Sequence, residues 1–214
     1  VAFTNWGTGH VMLAPGRYTA VASRGIEYEI DTSKAFRIDA ETGADLQLQV
    51  VRSVETDGWV SADLHVHGVA SHDSGVGRHA RVTTMAAEGV EFFASTDHDF
   101  LTDYAGAIED LDLEMWVQSA IGTEVTTVEV GHFLGFPLQM DHLGEGGFNR
   151  DEVDWTGKKP FEIIQSIQTM GRAGDFQPMV FVGHPRDGIL GYFDQYGFDP
   201  YAGSPGFAGA PGTA

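Results

Sequence analysis

Cysteine is absent from all 214 residues. No disulfide framework can form and no thiolate metal site is possible. A chain without cysteine suits either side of a membrane, so composition assigns no compartment. Cations are scarce too: 12 Lys+Arg stand against 31 Asp+Glu, a net charge of −19, with no basic tract. Binding to a nucleic-acid duplex needs cationic side chains that displace counterions, so that class is disfavoured. An anionic substrate stays open, because bound divalent cations can dominate the field of a site. Long apolar runs are missing as well. None approaches a membrane span, and no signal-peptide pattern opens the chain. The start at Val1 without methionine and the ending "GSPGFAGAPGTA" read as a fragment or processed piece.

What is present suffices for one full domain and part of a second. With 42% hydrophobic and 20% charged residues, the chain can bury a real core. Residues 1–57 read as a β-rich segment. "GRYTAVAS" (16–23), "IEYEI" (26–30), "AFRIDA" (35–40) and "ADLQLQVV" (44–51) are short runs separated by turn residues. Leu46, Leu48 and Val50 alternate with Gln47 and Gln49, the period of a half-buried strand. "ETGA" suits a hairpin between the last two runs. With no helix in the stretch, a small β-sandwich is expected.

From residue 58 to 214 the rhythm becomes strand–helix alternation. "GWVSADLHVH" reads as a strand, followed by a helix over 77–88 with Val82, Met85 and Ala86 on one side. "VEFFAST" (90–96) is a continuous apolar strand of the kind found in buried parallel sheets. A short helix over 103–110 follows, then "MWVQSAIG" and "VEVGHFLGF" as strands. "KKPFEIIQSIQTMG" has Pro160 in a first-turn position, with Phe161, Ile164, Ile167 and Met170 at helical spacing. "PMVFVGHP" (178–185) reads as another buried strand, and the tail after Gly191 shows no clear element. Such alternation predicts an α/β barrel or layered sheet. No internal repeat is visible.

Acids and histidines collect at the ends of these strands. His65 and His67 close the first, Asp97 and His98 close the second, and Glu124 lies in "GTEVTT" after the third. His132 lies in "EVGHFLGF", and His184 follows "MVFV". Sites of α/β barrels and open sheets gather at the carboxyl ends of their strands. Two residues apart on a strand, His65 and His67 point to the same side, so both imidazoles can reach one ion. Imidazole plus carboxylate suits zinc, iron or manganese. A single carboxylate such as Glu124 can bridge two ions roughly 3.5–4 Å apart. Each motif by itself is more often a strand cap, a turn or a surface carboxylate. Five in order at strand ends are not. His10, His79 and His142 do not share the pattern and read as solvated.

The motifs "DLHVHGVASHDS", "STDHD", "GTEVTT", "GHFLGFP" and "GHPRDG", spanning roughly 59–190, resemble the polymerase-and-histidinol-phosphatase (PHP) domain family. The wording is similar to its CehA/McbA-type metallohydrolase subgroup, where a β-rich segment with an "APGRYTA"-like stretch also precedes the metal domain. The resemblance implies a distorted (β/α)7 barrel holding two or three divalent ions (zinc, manganese or iron) and hydrolysing phosphoesters. Carried over by position, His65 and His67 bind the first ion, Glu124 bridges, and His132 and His184 hold the second. His98 would bind a third with a residue of "SHDS", where Asp73 matches one spacing and His72 the other; Asp73 is favoured. Asp97 would orient a ligand. Arg186, just after His184, is placed to clamp an anionic group, or else it is a surface arginine pairing with Asp187. Arg186 and Asp97 are therefore the candidate catalytic residues.

One departure stands out. The family closes its ligand set with an Asp-x-His motif on a late strand, and none follows His184 here. Asp194 and Asp199 are available acids without a partnering histidine, so a C-terminally incomplete metal domain is the expectation. The expected chemistry is attack by a metal-bound hydroxide on a small anionic or ester substrate, with His98 or Asp97 moving the proton. Phosphomonoester or phosphodiester hydrolysis comes first, and amide or carbamate ester hydrolysis is the alternative. A non-catalytic binding module stabilised by metal is the rival from another class. Nothing in the residues assigns an oligomeric state.

Overall fold

The structure, a computed structural model, describes residues 1–140, 146–147, 155–170, 176–199, 201 and 204–205. The chain divides into two compact units. One comprises Val1–Ala62, His79–Phe92 and Ala107–Gln118; the other comprises Asp63–Arg78, Phe93–Gly106 and the described residues of Ser119–Ala214.

In the first unit the N-terminal strands are very short: β1 (Gly16–Tyr18), β2 (Val21–Ala22), β3 (Tyr28–Glu29), β4 (Asp31–Thr32), β5 (Phe36–Ile38) and β6 (Val51–Arg52). They form three separate two-stranded antiparallel ladders, β1–β5, β2–β4 and β3–β6. The expected sandwich and the "ETGA" hairpin are both corrected by this pairing. β5 turns back onto β1, not onto the run that follows it. Leu46, expected to face a sheet, is exposed, and of its run only the last residue, Val51, joins a ladder, within β6. Alternation gave that run the right period, since Leu48 and Val50 are half-buried between exposed glutamines, but the run forms no ladder before Val51. Arg24 lies over the rings of Tyr28 and Trp116, 5.3 and 5.2 Å from their centroids. Gly25, at φ 65°, passes so close to the Glu88 carbonyl that a Cβ would collide with it.

Two three-stranded sheets hold most of the second unit's strand residues, while the helical residues His79–Ala87 and Ala107–Asp110 between their strands belong to the first unit. β7 (Ala62–Val66), α1 (Arg78–Ala87), β8 (Phe92–Ser95), β9 (Phe100–Leu101), α2 (Ala105–Asp110) and β10 (Gln118–Ile121) follow in order. The first of these sheets has the order β10–β8–β7, with α1 and α2 in its connections. α1 forms where the periodicity puts it and buries Val82, Met85 and Ala86. β8 carries fully buried Phe93, Ala94 and Ser95. Beyond β10 the pattern changes. β11 (Thr123–Thr126) and β12 (His132–Phe136) are antiparallel, and β12 pairs antiparallel with β14 (Met179–Val182). β13 (Gly146–Gly147) pairs with β9. α3 (Pro160–Met170), a 3-10 turn (Gly188–Leu190) and α4 (Tyr192–Gln195) complete the helices. A last ladder joins β15 (Phe198–Asp199) to β16 (Ser204–Pro205).

The expected (β/α)7 barrel is therefore wrong. Among the described residues the architecture is small, mostly antiparallel sheets with few helices, and strand–helix alternation stops at β10. Loop length is the physical reason. Only residues 127–131 join β11 to β12. A parallel neighbour would need a crossover of a dozen residues or more, so the pair must be antiparallel. The run "VEVGHFLGF", read as one strand, is broken by bends at Val128–Val130 and by Gly131 at φ 80°. "TEVT" just before it supplies the partner strand.

The core of this unit contains Leu101, Val125, Val130, Phe133, Leu138, Ile163, Ile167 and Tyr196. α3 begins at Pro160, whose missing N–H costs nothing in a first turn. The Lys159 N–H donates to Glu162 Oε2 at 2.7 Å, one half of a capping box. Its buried face is Ile163 and Ile167, whereas Phe161, expected on that face, is 56% exposed. Gly135 leaves the space that Ile167 occupies on β12. β14, expected to be buried, is half-buried with Met179 exposed.

Candidate metal centre

All the residues expected as ligands lie in the second unit, and two features of the backbone bring them together. Along β7, Val66 is buried while His65 projects from the opposite side and His67 follows one residue past the strand. Val66 is tied to the segment after β8, its N–H donating to Thr96 Oγ1 at 2.9 Å and its carbonyl accepting from the Thr96 N–H at 2.8 Å. Residues 97–99 then run beside Glu124: the Glu124 N–H donates to the Asp97 carbonyl at 3.1 Å, and the Asp99 N–H donates to the Glu124 carbonyl at 2.9 Å. His98 and Glu124 are thereby set side by side.

The second feature is alternation across the β11–β12–β14 sheet. Val125 and Phe133, a directly opposed pair, enter the hydrophobic core. Glu124 and Thr126 on β11, with His132 opposite Thr126 on β12, must then project from the other face. In an antiparallel sheet one edge mixes strand starts and strand ends. His132 opens β12, while His184 lies two residues past the end of β14, and the Gly183 N–H donates to the His132 carbonyl at 2.9 Å. The ligand candidates were expected at or near strand ends; Glu124 lies inside β11 and His132 begins β12.

Glu124 is the centre of the cluster and is fully buried. Its Oε2 lies 3.2 Å from His65 Nε2, 2.8 Å from His67 Nε2 and 3.3 Å from His98 Nδ1. Its Oε1 lies 2.9 Å from His132 Nδ1 and 2.9 Å from His184 Nε2. Five imidazoles surround one carboxylate. Burial by itself would raise the Glu124 carboxyl, but hydrogen bonds from His132, His65 and His67 hold it far below the usual carboxylate range. Burial works against the charged form of His67, yet hydrogen bonds to Glu124 and Asp73 raise its pKa. For His98 burial prevails, and its pKa is lowered.

These distances suit ion ligation. Ligands about 2.0–2.1 Å from a tetrahedral zinc ion stand roughly 3.3 Å apart. His65 Nε2, His67 Nε2 and Glu124 Oε2 form a triangle with edges of 3.1, 3.2 and 2.8 Å, close to one face of such a tetrahedron. Two further trios, His67–Asp73–His98 and His98–Glu124–His132, each place their donor atoms within 4.8 Å of one another.

The remaining candidates fall around this centre. Asp73 lies 3.0 Å from His67 Nδ1 and 3.5 Å from His98 Nε2. His72 is exposed and stacks on His98 with ring centroids 4.5 Å apart. Asp97 is fully buried, and both its oxygens are engaged: Oδ1 accepts the Gly68 N–H at 2.6 Å and Oδ2 the Thr102 hydroxyl at 2.5 Å. It braces the turn that carries His67. Arg186 donates to Asp194 Oδ1 at 2.8 Å and to the Phe198 carbonyl at 3.1 Å, so its acidic partner is Asp194 rather than Asp187, the partner of the alternative reading. His10 is exposed, His79 pairs with Asp110 at 3.0 Å, and His142 lies outside the described residues.

Three contributors were not anticipated. The Ser71 hydroxyl accepts the His98 N–H at 2.9 Å, and Thr126 Oγ1 lies 2.6 Å from His98 Nδ1. Gly183 lets β14 pass the carboxylate, since a Cβ there would lie 3.1 Å from Glu124 Oε1. Thr126 had a usable signal, standing two residues from Glu124 on one strand. Ser71 and Gly183 had none beyond their places in the motifs. In comparisons with known proteins, no family model and no curated sequence matches this chain.

Proposed function

We propose that this chain is a divalent-metal-dependent hydrolase of phosphoesters, with one ion on each side of Glu124. The observation that carries this reading is how the carboxylate is shared: Oε2 faces His65, His67 and His98, while Oε1 faces His132 and His184. A buried carboxylate with a separate histidine set at each oxygen has the form of a bridge between two ions roughly 3.5–4 Å apart. His65, His67 and Glu124 Oε2 would hold the first ion; Glu124 Oε1, His132 and His184 would hold the second. Nitrogen and oxygen donors without sulfur suit zinc, manganese or iron. When bound, such a pair supplies a water acidified to near neutrality and absorbs developing negative charge.

The protein's own groups do the positioning. Asp97 fixes the turn below His67 through the Gly68 N–H, and Ser71 and Thr126 hold His98. Arg186, held by Asp194 and the Phe198 carbonyl, lies on the segment that carries His184. Its planar fork matches a phosphate better than a neutral ester. The substrate class comes from the motifs that resemble the PHP family, and that likeness rests on the motifs alone.

The test is elemental analysis of chain purified without chelators, followed by assay on paired chromogenic phosphate and carbamate substrates. Two ions per chain and phosphate cleavage are expected. Carbamate cleavage alone would move the reading to the ester alternative. An intact, metal-loaded chain that cleaves neither substrate removes the hydrolase reading.

A further inference from the structure

Asp73 occupies an unusual place at this centre. Its Oδ1 and Oδ2 lie 3.0 and 3.1 Å from the same atom, His67 Nδ1. Across the ring, His67 Nε2 lies 2.8 Å from Glu124 Oε2 and 3.1 Å from His65 Nε2. His67 therefore belongs to two donor trios at once, with Nδ1 facing Asp73 and Nε2 facing His65 and Glu124.

A neutral imidazole has one lone-pair nitrogen and one N–H. Serving both trios as an ion ligand would require loss of both ring protons, and two carboxylates at the ring edges favour keeping one. One trio must yield. The trio with His65 and Glu124 has edges of 2.8–3.2 Å around a fully buried carboxylate. The other is looser, with His98 Nε2 3.5 Å from an Asp73 side chain that is 46% exposed. A carboxylate whose two oxygens both face one ring nitrogen is placed to accept its proton, as carboxylates commonly do behind metal-binding histidines.

We infer that Asp73 is a positioning residue and not an ion ligand: it accepts the Nδ1 proton of His67, which turns the Nε2 lone pair toward His65 and Glu124, and the centre holds two ions with no third. This rests on the reading that the cluster binds divalent ions. It departs from the expectation that Asp73 and His98 share a third ion.

The experiment compares the full chain with its Asp73→Ala and Asp73→Asn variants. Zinc stoichiometry at saturation, stepwise affinity by chelator competition and the His67 tautomer by ¹⁵N NMR are measured. Wild type is expected to bind two zinc ions with His67 as the Nδ1–H tautomer. Both variants should still bind two. In Asp73→Ala one of the two affinities should fall about 10- to 100-fold, the usual cost of removing such a partner. Asp73→Asn, whose amide oxygen still accepts the proton, should recover part of it. Loss of a whole ion in Asp73→Ala at saturating zinc would make Asp73 a ligand and overturn the inference, as would unchanged affinities in both variants or an Nε2–H tautomer in wild type. A wild-type chain that binds no zinc overturns this inference and the hydrolase reading together. A two-zinc wild type without hydrolytic activity removes only the latter, and the affinities still decide the role of Asp73.

Discussion

Glu124 makes the residue-scale case. A carboxylate shut away from water is costly unless its charge is compensated, and here five imidazoles compensate it. Glu124→Gln keeps the shape but leaves an amide N–H₂ facing one histidine set. Elemental analysis should then show fewer than two ions per chain and loss of any phosphoesterase activity; a variant that keeps both ions would exclude the bridging role. Tyr196 gives a separate prediction. Burial, with Tyr192 nearby, pushes its phenol up to about 12, and its hydroxyl has no partner among the described residues. Because the folded pKa lies above the ordinary value near 10, the contribution to stability is complete below pH 10. It is lost as the pH rises through about 12. Tyr196→Phe should leave stability at pH 7 unchanged or slightly raised and should flatten the alkaline decline in denaturant midpoint. An unaltered alkaline profile would show that Tyr196 is not responsible.

At the scale of elements, close approach is the recurring device. β14 passes Glu124 at Gly183, and α3 meets β12 at Gly135, where Ile167 takes the place of a side chain. Gly183→Ala inserts a methyl 3.1 Å from Glu124 Oε1, so the carboxylate must give way by a few tenths of an ångström. The fold should survive, since such overpacking typically costs about 1–3 kcal/mol. Calorimetric titration with zinc should show the second ion weakened by roughly tenfold, the lower end of the effect of a disturbed ligand setting. Equal affinity in the variant would mean that β14 does not constrain the carboxylate. The elements themselves were legible to unequal degrees. α1 and α3 stand where periodicity and Pro160 place them, because a helix's signals are local. The splitting of "VEVGHFLGF" was not legible, because only pairing with "TEVT" makes Val128–Gly131 a turn.

For the whole molecule, the cluster predicts strong coupling between metal and stability. The candidate ligands, drawn from β7, from the segment after β8, and from β11, β12 and the end of β14, are far apart in the chain, so an ion held by them would crosslink them only in the folded state. Saturating zinc at about a hundred times its dissociation constant should add roughly 2.7 kcal/mol, or about 5–10 °C in melting temperature for a chain of this size. Scanning calorimetry with zinc and with EDTA would show it, and identical melting temperatures would argue against any tight site. The candidate ligands could be picked out from the sequence alone because the chemistry is intrinsic: without cysteine, only imidazole and carboxylate remain, and the spacing of His65 and His67 sets them on one side of a strand. The fold could not be read the same way. The alternation that suggested a barrel is satisfied equally by hairpins and by crossovers, and the choice is made by loop length and by which faces find partners. Only the tertiary structure decided that His65, His98, His132 and His184 meet at one carboxylate, since that depends on long-range pairing that no local pattern encodes.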